Sequence, residues 1–336
     1  MNNNPLKISR RKFLAITAIA AFALAFIFSP MLFAQSRTAA NKFHFTIVSD
    51  CHMSNGNYNF EKFMLPAIMK NLNGPGVFMV DTGDMDPFEN VYKAIQTQVI
   101  APSKAQGKTV GWYPIPGNHD LYNTSNDATY KTETPEKSQT HKLVAYNKKQ
   151  LKNIINWGPE FKSKLIGYEN NAAKYTTYSF DYENSHFVML DLFYCNEVGP
   201  RGCGNFHKVT EKWLKRDLEQ NKKKNIFIFG HHPIIAYTGS NGKKMPKNDL
   251  LNFHKKRFWR VLKKYHVNAY FCGHTHLYGV VEKDGVTQIC NGSGARQDSG
   301  SYIMVFIDGD KITYKTYLHT SGKWQELTGT LNREKN

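Results

Sequence analysis

The sequence predicts an α/β domain that finishes in antiparallel strands. Three observations carry that expectation. Short apolar runs of strand length alternate with segments of helical spacing from residue 43 to residue 272. Five of the runs are followed at once by a short motif rich in Gly, Asp and His. The stretch from Leu277 to Leu318 switches to strand-like alternation with Asp-Gly turns at 284–285 and 308–309.

Taken in order, Phe43–Ser49 is an apolar run ending in Asp50, and Glu61–Leu72 has helical spacing. Val77–Val80 is a second run, ending in Asp81; Phe88–Ala101 reads as a helix and Val110–Ile115 as a strand. Tyr175–Tyr182, His186–Leu190, Ile226–Phe229 and Ala269–Cys272 are further strand candidates. Helical patterns at Thr210–Gln220 and Leu250–Tyr265 separate the last three. Residues 121–141 are polar and long for a connection inside a compact domain, a length associated with lids and binding loops. No internal repeat is visible.

Ahead of the domain lies a different kind of segment. Ser9-Arg10-Arg11-Lys12-Phe13-Leu14 is followed by an uncharged stretch to Ala34. A basic start, an apolar run and then small residues form a secretory pattern, and the paired arginines before Phe13-Leu14 resemble a twin-arginine signal. Residues 1–34 are therefore expected to be a signal peptide or a membrane anchor, since 13–34 are long enough to span a bilayer. The expected partner is the twin-arginine export machinery, and the expected location is the periplasm or cell envelope. The folded domain is expected over 41–322.

The formal net charge is +17, which attracts anions and polyanionic surfaces. No basic stripe interleaved with aromatics is present, so nucleic acid is not an expected partner. There are five cysteines and no Cys-x-x-Cys, which argues against a cysteine zinc site. Cys195 and Cys203 share a Gly-rich loop and would be able to pair in an oxidising compartment.

The chemistry is carried by the five motifs: Ser49-Asp50-Cys51-His52, Gly83-Asp84, Gly117-Asn118-His119-Asp120, Gly230-His231-His232-Pro233 and Gly273-His274-Thr275-His276. Ligands of α/β sheets gather where loops leave the carboxyl ends of strands. Carboxylates and imidazoles in one place form a mixed oxygen and nitrogen donor set, suited to Mn, Fe, Zn or Co better than to calcium. The five loops together supply Asp, His, Asp, Asn, His, His and His, seven groups that exceed the needs of one four-coordinate ion and suit two ions sharing a carboxylate.

The ordered set Asp-x-His, Gly-Asp, Gly-Asn-His-Asp, Gly-His-x-Pro, Gly-His-x-His resembles the calcineurin-like metallophosphoesterase superfamily over about residues 43–320. The resemblance implies an α/β/β/α sandwich of two mixed sheets flanked by helices. It implies two divalent or trivalent transition metal ions, with a metal-activated hydroxide attacking a phosphate ester substrate. Asp50, His52 and His276 would hold the first metal. Asp84 would bridge both. Asn118, His231 and His274 would hold the second. His119 would contact the phosphate and protonate the leaving group, with Asp120 orienting it. Asn118 and His232 would also face the substrate.

Purple acid phosphatases in this superfamily place a ligating tyrosine three residues after the bridging aspartate, where this chain has Pro87. Further candidate substrate contacts are Tyr122, Asn123, Arg201, Lys243 and Lys244. The alternative reading is an envelope polyanion-binding or scaffold protein of the same fold with little hydrolysis.

Overall fold

A computed structural model describes residues 42–331, apart from 55, 72–73, 122–138, 161–173, 194–203 and 253. The leader, Tyr122, Asn123, Arg201 and the Cys195–Cys203 loop lie outside the described residues. Among the described residues no helix is long and apolar enough to cross a membrane.

Thirteen strands form two mixed sheets among the described residues. The first has the order β13-β12-β11-β1-β2-β3 and the second β4-β5-β6-β7-β8-β10-β9. In the first, β1 (Lys42–Val48), β2 (Phe78–Asp81) and β3 (Gly111–Pro114) run parallel, and β11 (Ser301–Asp308), β12 (Lys311–Thr320) and β13 (Lys323–Thr330) form an antiparallel meander. In the second, β6 (Ser185–Met189), β7 (Asn225–Phe229), β8 (Ala269–Cys272) and β10 (Val286–Cys290) are parallel. Three further strands join through antiparallel pairs: β5 (Tyr178–Tyr182) beside β6, β4 (Asn156–Trp157) beside β5, and β9 (Gly279–Lys283) beside β10.

The period-2 alternation of these strands builds the layers. In β7, Phe227 and Phe229 enter one cluster while Ile226 and Ile228 enter another; in β8, Ala269 and Phe271 part from Tyr270 and Cys272 in the same way. Phe43, Phe45 and Ile47 of β1 join the first of these clusters, and Val48 turns to a third. The first cluster is the slab between the sheets, a set of rings in which Phe45, Phe78, Phe187 and Phe227 meet at 5.0–5.7 Å. Each buried phenylalanine contributes about 1.5–3 kcal/mol.

The other two clusters seat the helices. α1 (Leu65–Lys70), α2 (Phe88–Ile95) and α4 (Gln139–Gln150) cover the first sheet through Leu65, Val91 and Leu143. α5 (Lys208–Gln220) and α6 (Lys255–Lys264) cover the second through Trp213, Leu214, Phe258 and Leu262. The result is the expected α/β/β/α sandwich of two mixed sheets flanked by helices.

Several boundaries differ from the sequence reading. The helix at Phe88 continues through a π-helical turn into α3 (Ala101–Ala105), because Val99 keeps the buried stripe going. α6 starts at Lys255 rather than Leu250, after a 3-10 turn at Lys247–Asp249. α4 begins inside the segment read as loop; its mostly polar sequence hides the short buried stripe of Leu143, Val144 and Asn147. β13 extends the first sheet past residue 322. Its largely exposed sequence, Lys-Trp-Gln-Glu-Leu-Thr-Gly-Thr, carries little apolar signal.

One buried polar network ties α5 to the second sheet. His186 of β6 sets Nδ1 2.7 Å from Asp181 Oδ1 and Nε2 2.9 Å from Asp217 Oδ2. Asp217 also accepts from Ser179 Oγ at 2.7 Å and Asn156 Nδ2 at 2.9 Å. Burial pulls the His186 imidazole down, but the two carboxylates outweigh it and hold it up at about 9. A histidine raised in the folded state lends stability in full below its unfolded value near 6.5 and loses it as pH climbs toward 9. Denaturant unfolding should therefore show up to about 3 kcal/mol less stability at pH 9 than at pH 6.5. The His186→Asn variant should show much less of that fall. An unchanged pH slope in the variant would assign the effect elsewhere.

Candidate metal centre

The five motifs leave the carboxyl ends of β1, β2, β3, β7 and β8, so both sheets deliver loops to one edge of the sandwich. Backbone bonds lace those loops together. Asp50 N–H donates to Gly83 O at 2.8 Å, and Gly273 N–H donates to His231 O at 2.9 Å. Across the sheets, His274 N–H donates to the Asp50 carboxylate at 3.0 Å, and His231 Nδ1 lies 2.8 Å from Thr82 O.

The glycines before the ligand candidates are required by proximity. A Cβ on Gly273 would sit 1.8 Å from Ser49 Oγ and 2.4 Å from Asp50 Oδ2; one on Gly117 would sit 2.1 Å from Asp84 Oδ1. Asp50, His52, Asp84, His274 and His276 all hold positive φ, between 31° and 73°. L-residues enter that region at a cost of order 1–3 kcal/mol each, and such strain concentrates at functional sites.

Two groups of donor atoms share Asp84, beside a third made by His52, Asp86 and His119. In the first, His276 Nε2 lies 3.1 Å from Asp50 Oδ1 and 3.0 Å from His52 Nε2, and His52 Nε2 lies 3.7 Å from Asp84 Oδ2. In the second, His231 Nε2 lies 3.3 Å from Asp84 Oδ2 and 3.1 Å from Asn118 Oδ1, and His274 Nδ1 lies 2.9 Å from that same Asn118 oxygen. Within each group of Asp and His donors the ligand atoms all fall within 4.8 Å of one another. Asp84 belongs to both groups.

Imidazole nitrogens and carboxylate oxygens turned toward common points are the donor chemistry of a first-row transition ion. The ring nitrogens of His52 and His276 lie 3.0 Å apart, close enough to share a proton or to face one cation.

Electrostatics inside the cluster are self-balancing. Burial pushes the Asp50 carboxyl up, but His276 beside it holds it down to about 2. Burial likewise opposes the Asp84 charge, and His231 overcomes it, holding Asp84 well below the carboxylate range. The imidazoles respond in kind. Against burial, Asp84 raises His231 to about 10, and the hydrogen bond to Asp86, with Asp84 nearby, raises His52 to about 9. Burial, reinforced by His231, drives His274 down to about 4.

Each sequence candidate can now be placed. Asp50, His52, Asp84, Asn118, His231, His274 and His276 converge on the two groups. His119 is exposed, with its ring edge-on to His52 at 4.8 Å and its backbone N–H donating to Asp84 Oδ1 at 2.8 Å. Lys243 and Lys244 are exposed on a separate turn.

Asp120 departs from expectation. Its carboxylate is buried and accepts from Gly117 N–H at 2.7 Å and from Asp84 and Met85 N–H at 2.9 Å each. It clamps the β2 loop to the β3 loop, its oxygens taken by those amides rather than by the His119 ring.

His232 also departs from the reading as a substrate contact. It has no exposed surface, its ring lies 3.9 Å from that of His274, and neither ring nitrogen has a hydrogen-bond partner. The bend after β7 places His231 in the donor cluster and His232 against the His274 ring.

Sequence reasoning missed Asp86. Its Oδ1 lies 2.6 Å from His52 Nδ1, which fixes the tautomer and turns Nε2 toward the first group. The signal was present as a second carboxylate two residues after Asp84.

A sequence-family profile described as calcineurin-like phosphoesterase matches residues 43–278. The chain belongs to the calcineurin-like phosphoesterase family. Part of the chain is 35% identical over 89 residues to tartrate-resistant acid phosphatase type 5 of Oryctolagus cuniculus. That match spans 26% of this chain and about a quarter of that protein, 24%.

Among solved structures, the fold is similar to GAP50, the anchor in the inner membrane complex of Plasmodium. The TM-score is 0.50 with 16% identity, covering 88% of this chain and 90% of that one. It is also similar to zinc-complexed wild-type Vps29 of Entamoeba histolytica, with a TM-score of 0.42, 10% identity and coverage of 86% and 99%. At 16% identity the likeness to GAP50 shows the fold alone. For a calcineurin-like phosphoesterase, the clustered Asp and His side chains are the candidates for holding divalent metal.

Proposed function

We propose that this chain is a binuclear phosphoesterase that hydrolyses a phosphate ester. The observation that carries the reading is the position of Asp84, whose carboxylate belongs to both donor groups. Asp50, His52, Asp84 and His276 would hold one transition ion, and Asp84, Asn118, His231 and His274 the other. Manganese, iron, zinc and cobalt all suit this donor set. When bound, such a pair supplies charge that polarises phosphoryl oxygens and acidifies a shared water.

The remaining work falls to the chain. Asp86 holds the His52 ring so that Nε2 faces inward. Asp120 keeps the Asp84 backbone in its strained turn. His119 stands at the solvent side of the cluster, where its imidazole can hand a proton to the departing ester oxygen. The basic excess of the chain favours an anionic ester. A scaffold role would tolerate missing ligands, and all seven candidates are in place.

Purified protein reconstituted with each metal should contain two ions per chain by elemental analysis. It should turn over at least one class among phosphomonoesters, phosphodiesters, nucleotides and phospholipid head groups. One ion per chain in an active preparation would refute the binuclear reading, and metal-loaded protein inert toward every class would refute the hydrolytic one.

We further propose that residues 1–34 direct export through the twin-arginine machinery to the periplasm or cell envelope, cut or retained as an anchor. The support is the Arg10-Arg11 pair before an uncharged run. A reporter fused behind residues 1–34 should reach the periplasm with Arg10 and Arg11 intact and stay inside when both are lysine. Equal export of the two would point to a different route.

A further inference from the structure

The outer face of the second sheet carries a groove of about 620 Å³, a size suited to a small molecule. Its accessible apolar lining is the partly buried Ile235, with the nearly buried Trp259 and Ile234 behind it. Its rim is cationic: Lys255, Lys256 and Arg260 come from α6 and Lys283 from the end of β9. The acid on the rim, Asp284, is already engaged by Trp259 Nε1 at 3.2 Å and Lys263 Nζ at 3.5 Å. Among the described residues Lys255, Lys256, Arg260 and Lys283 have no acidic partner.

The sequence of α6 produces this arrangement. Phe258, Trp259, Val261 and Leu262 are its buried residues, so Lys256 and Arg260 share the outer face at i, i+4. Like charges at that spacing oppose helix formation by a few tenths of a kcal/mol. Arg257, by contrast, is neutralised by Glu211 at 2.5 Å. The fold itself has no need of unpaired cations gathered at the rim of one groove.

The groove is separate from the metal centre. β10 runs parallel to β8, so the Lys283–Asp284 corner that precedes β10 lies at the end of the sheet opposite Gly273 and His274. None of its lining residues belongs to the donor groups.

We propose that this groove binds a soluble organic anion, with a phosphate, sulfonate or carboxylate at the cationic rim and an apolar body against Ile235 and the edge of Trp259. Charge complementarity and the apolar lining select that chemistry. A bilayer surface fits less well. The exposed large apolar residues among those described are Tyr58, Ile155 and Val280, and Val280 points to the face of β9 opposite Lys283.

The test is titration of the full chain with 1-naphthalenesulfonate, a non-hydrolysable aromatic anion, followed by calorimetry and tryptophan fluorescence. Saturable one-to-one binding is expected. The exposed double variant Lys256→Glu/Arg260→Glu should weaken it at least about tenfold while leaving p-nitrophenyl phosphate hydrolysis unchanged. Lys93→Glu, an exposed charge reversal on α2, should leave binding intact.

Absence of saturable binding below about 10 mM would overturn the proposal, as would equal weakening by Lys93→Glu. Loss of binding in Asp84→Asn would place the anion at the metal centre instead. A double variant that loses only attachment to anionic phospholipid vesicles, with naphthalenesulfonate binding unchanged, would assign the face to a membrane.

Discussion

Asp84→Asn is expected to lower kcat/KM at least about a thousandfold, equivalent to ~4 kcal/mol of transition-state stabilisation, and to reduce metal content below two ions per chain. The amide keeps the side-chain volume and one acceptor oxygen, so the His119 N–H contact can survive. What it removes is the negative charge that both donor groups share. In the metal-free cluster that same charge holds His231 up at about 10 against burial. Circular dichroism should show an intact fold, since Asp84 takes part in neither interlayer cluster named for its sheet. Elemental analysis beside kinetics decides the matter: two retained ions, or more than a tenth of wild-type turnover, would mean that Asp84 does not bridge.

The second large effect is expected at His119, and it should depend on the substrate. His119→Ala should cut kcat by about 10²–10⁴ for an ester with a poor leaving group, the range typical of general acid catalysis. For p-nitrophenyl phosphate, whose leaving oxygen departs without protonation, the loss should be much smaller. The His119 ring is exposed and its structural contact is made by the backbone, so alanine should preserve both fold and metal content. Equal losses on good and poor leaving groups would reassign His119 to phosphate binding. Full activity on the poor leaving group would remove it from the mechanism. Asp120→Asn separates the two neighbours. Because the Asp120 carboxylate serves the backbone of residues 84, 85 and 117, its variant should perturb metal content before it alters leaving-group dependence.

Much of the fold was legible because the strands are short, buried on both faces and punctuated by Gly and Asp. Phe43–Ser49, Val77–Val80 and Ala269–Cys272 all proved to be central strands to within a residue or so. The hairpin at Asp284-Gly285 forms with both residues at positive φ, as that dipeptide favours. The second Asp-Gly pair behaves differently: Asp308 still pairs with Lys311, so Gly309 and Asp310 make the turn. α4 and β13 were obscured because each buries little, and burial is what writes periodicity into a sequence.

The sequence by itself determined the residue types of the cluster, their order and their attachment to strand ends, because donor chemistry and strand hydrophobicity are properties of local segments. Only the tertiary structure decided where each side chain points. Asp86 turns in to hold His52, Asp120 grips three amides, and His232 packs against His274. Those directions follow from strained turns and from contacts between the two sheets that join residues 224 apart in the chain. The groove on α6 has the same origin, since its indole and its lysines become a site only when β9 and the segment after Pro233 close around them.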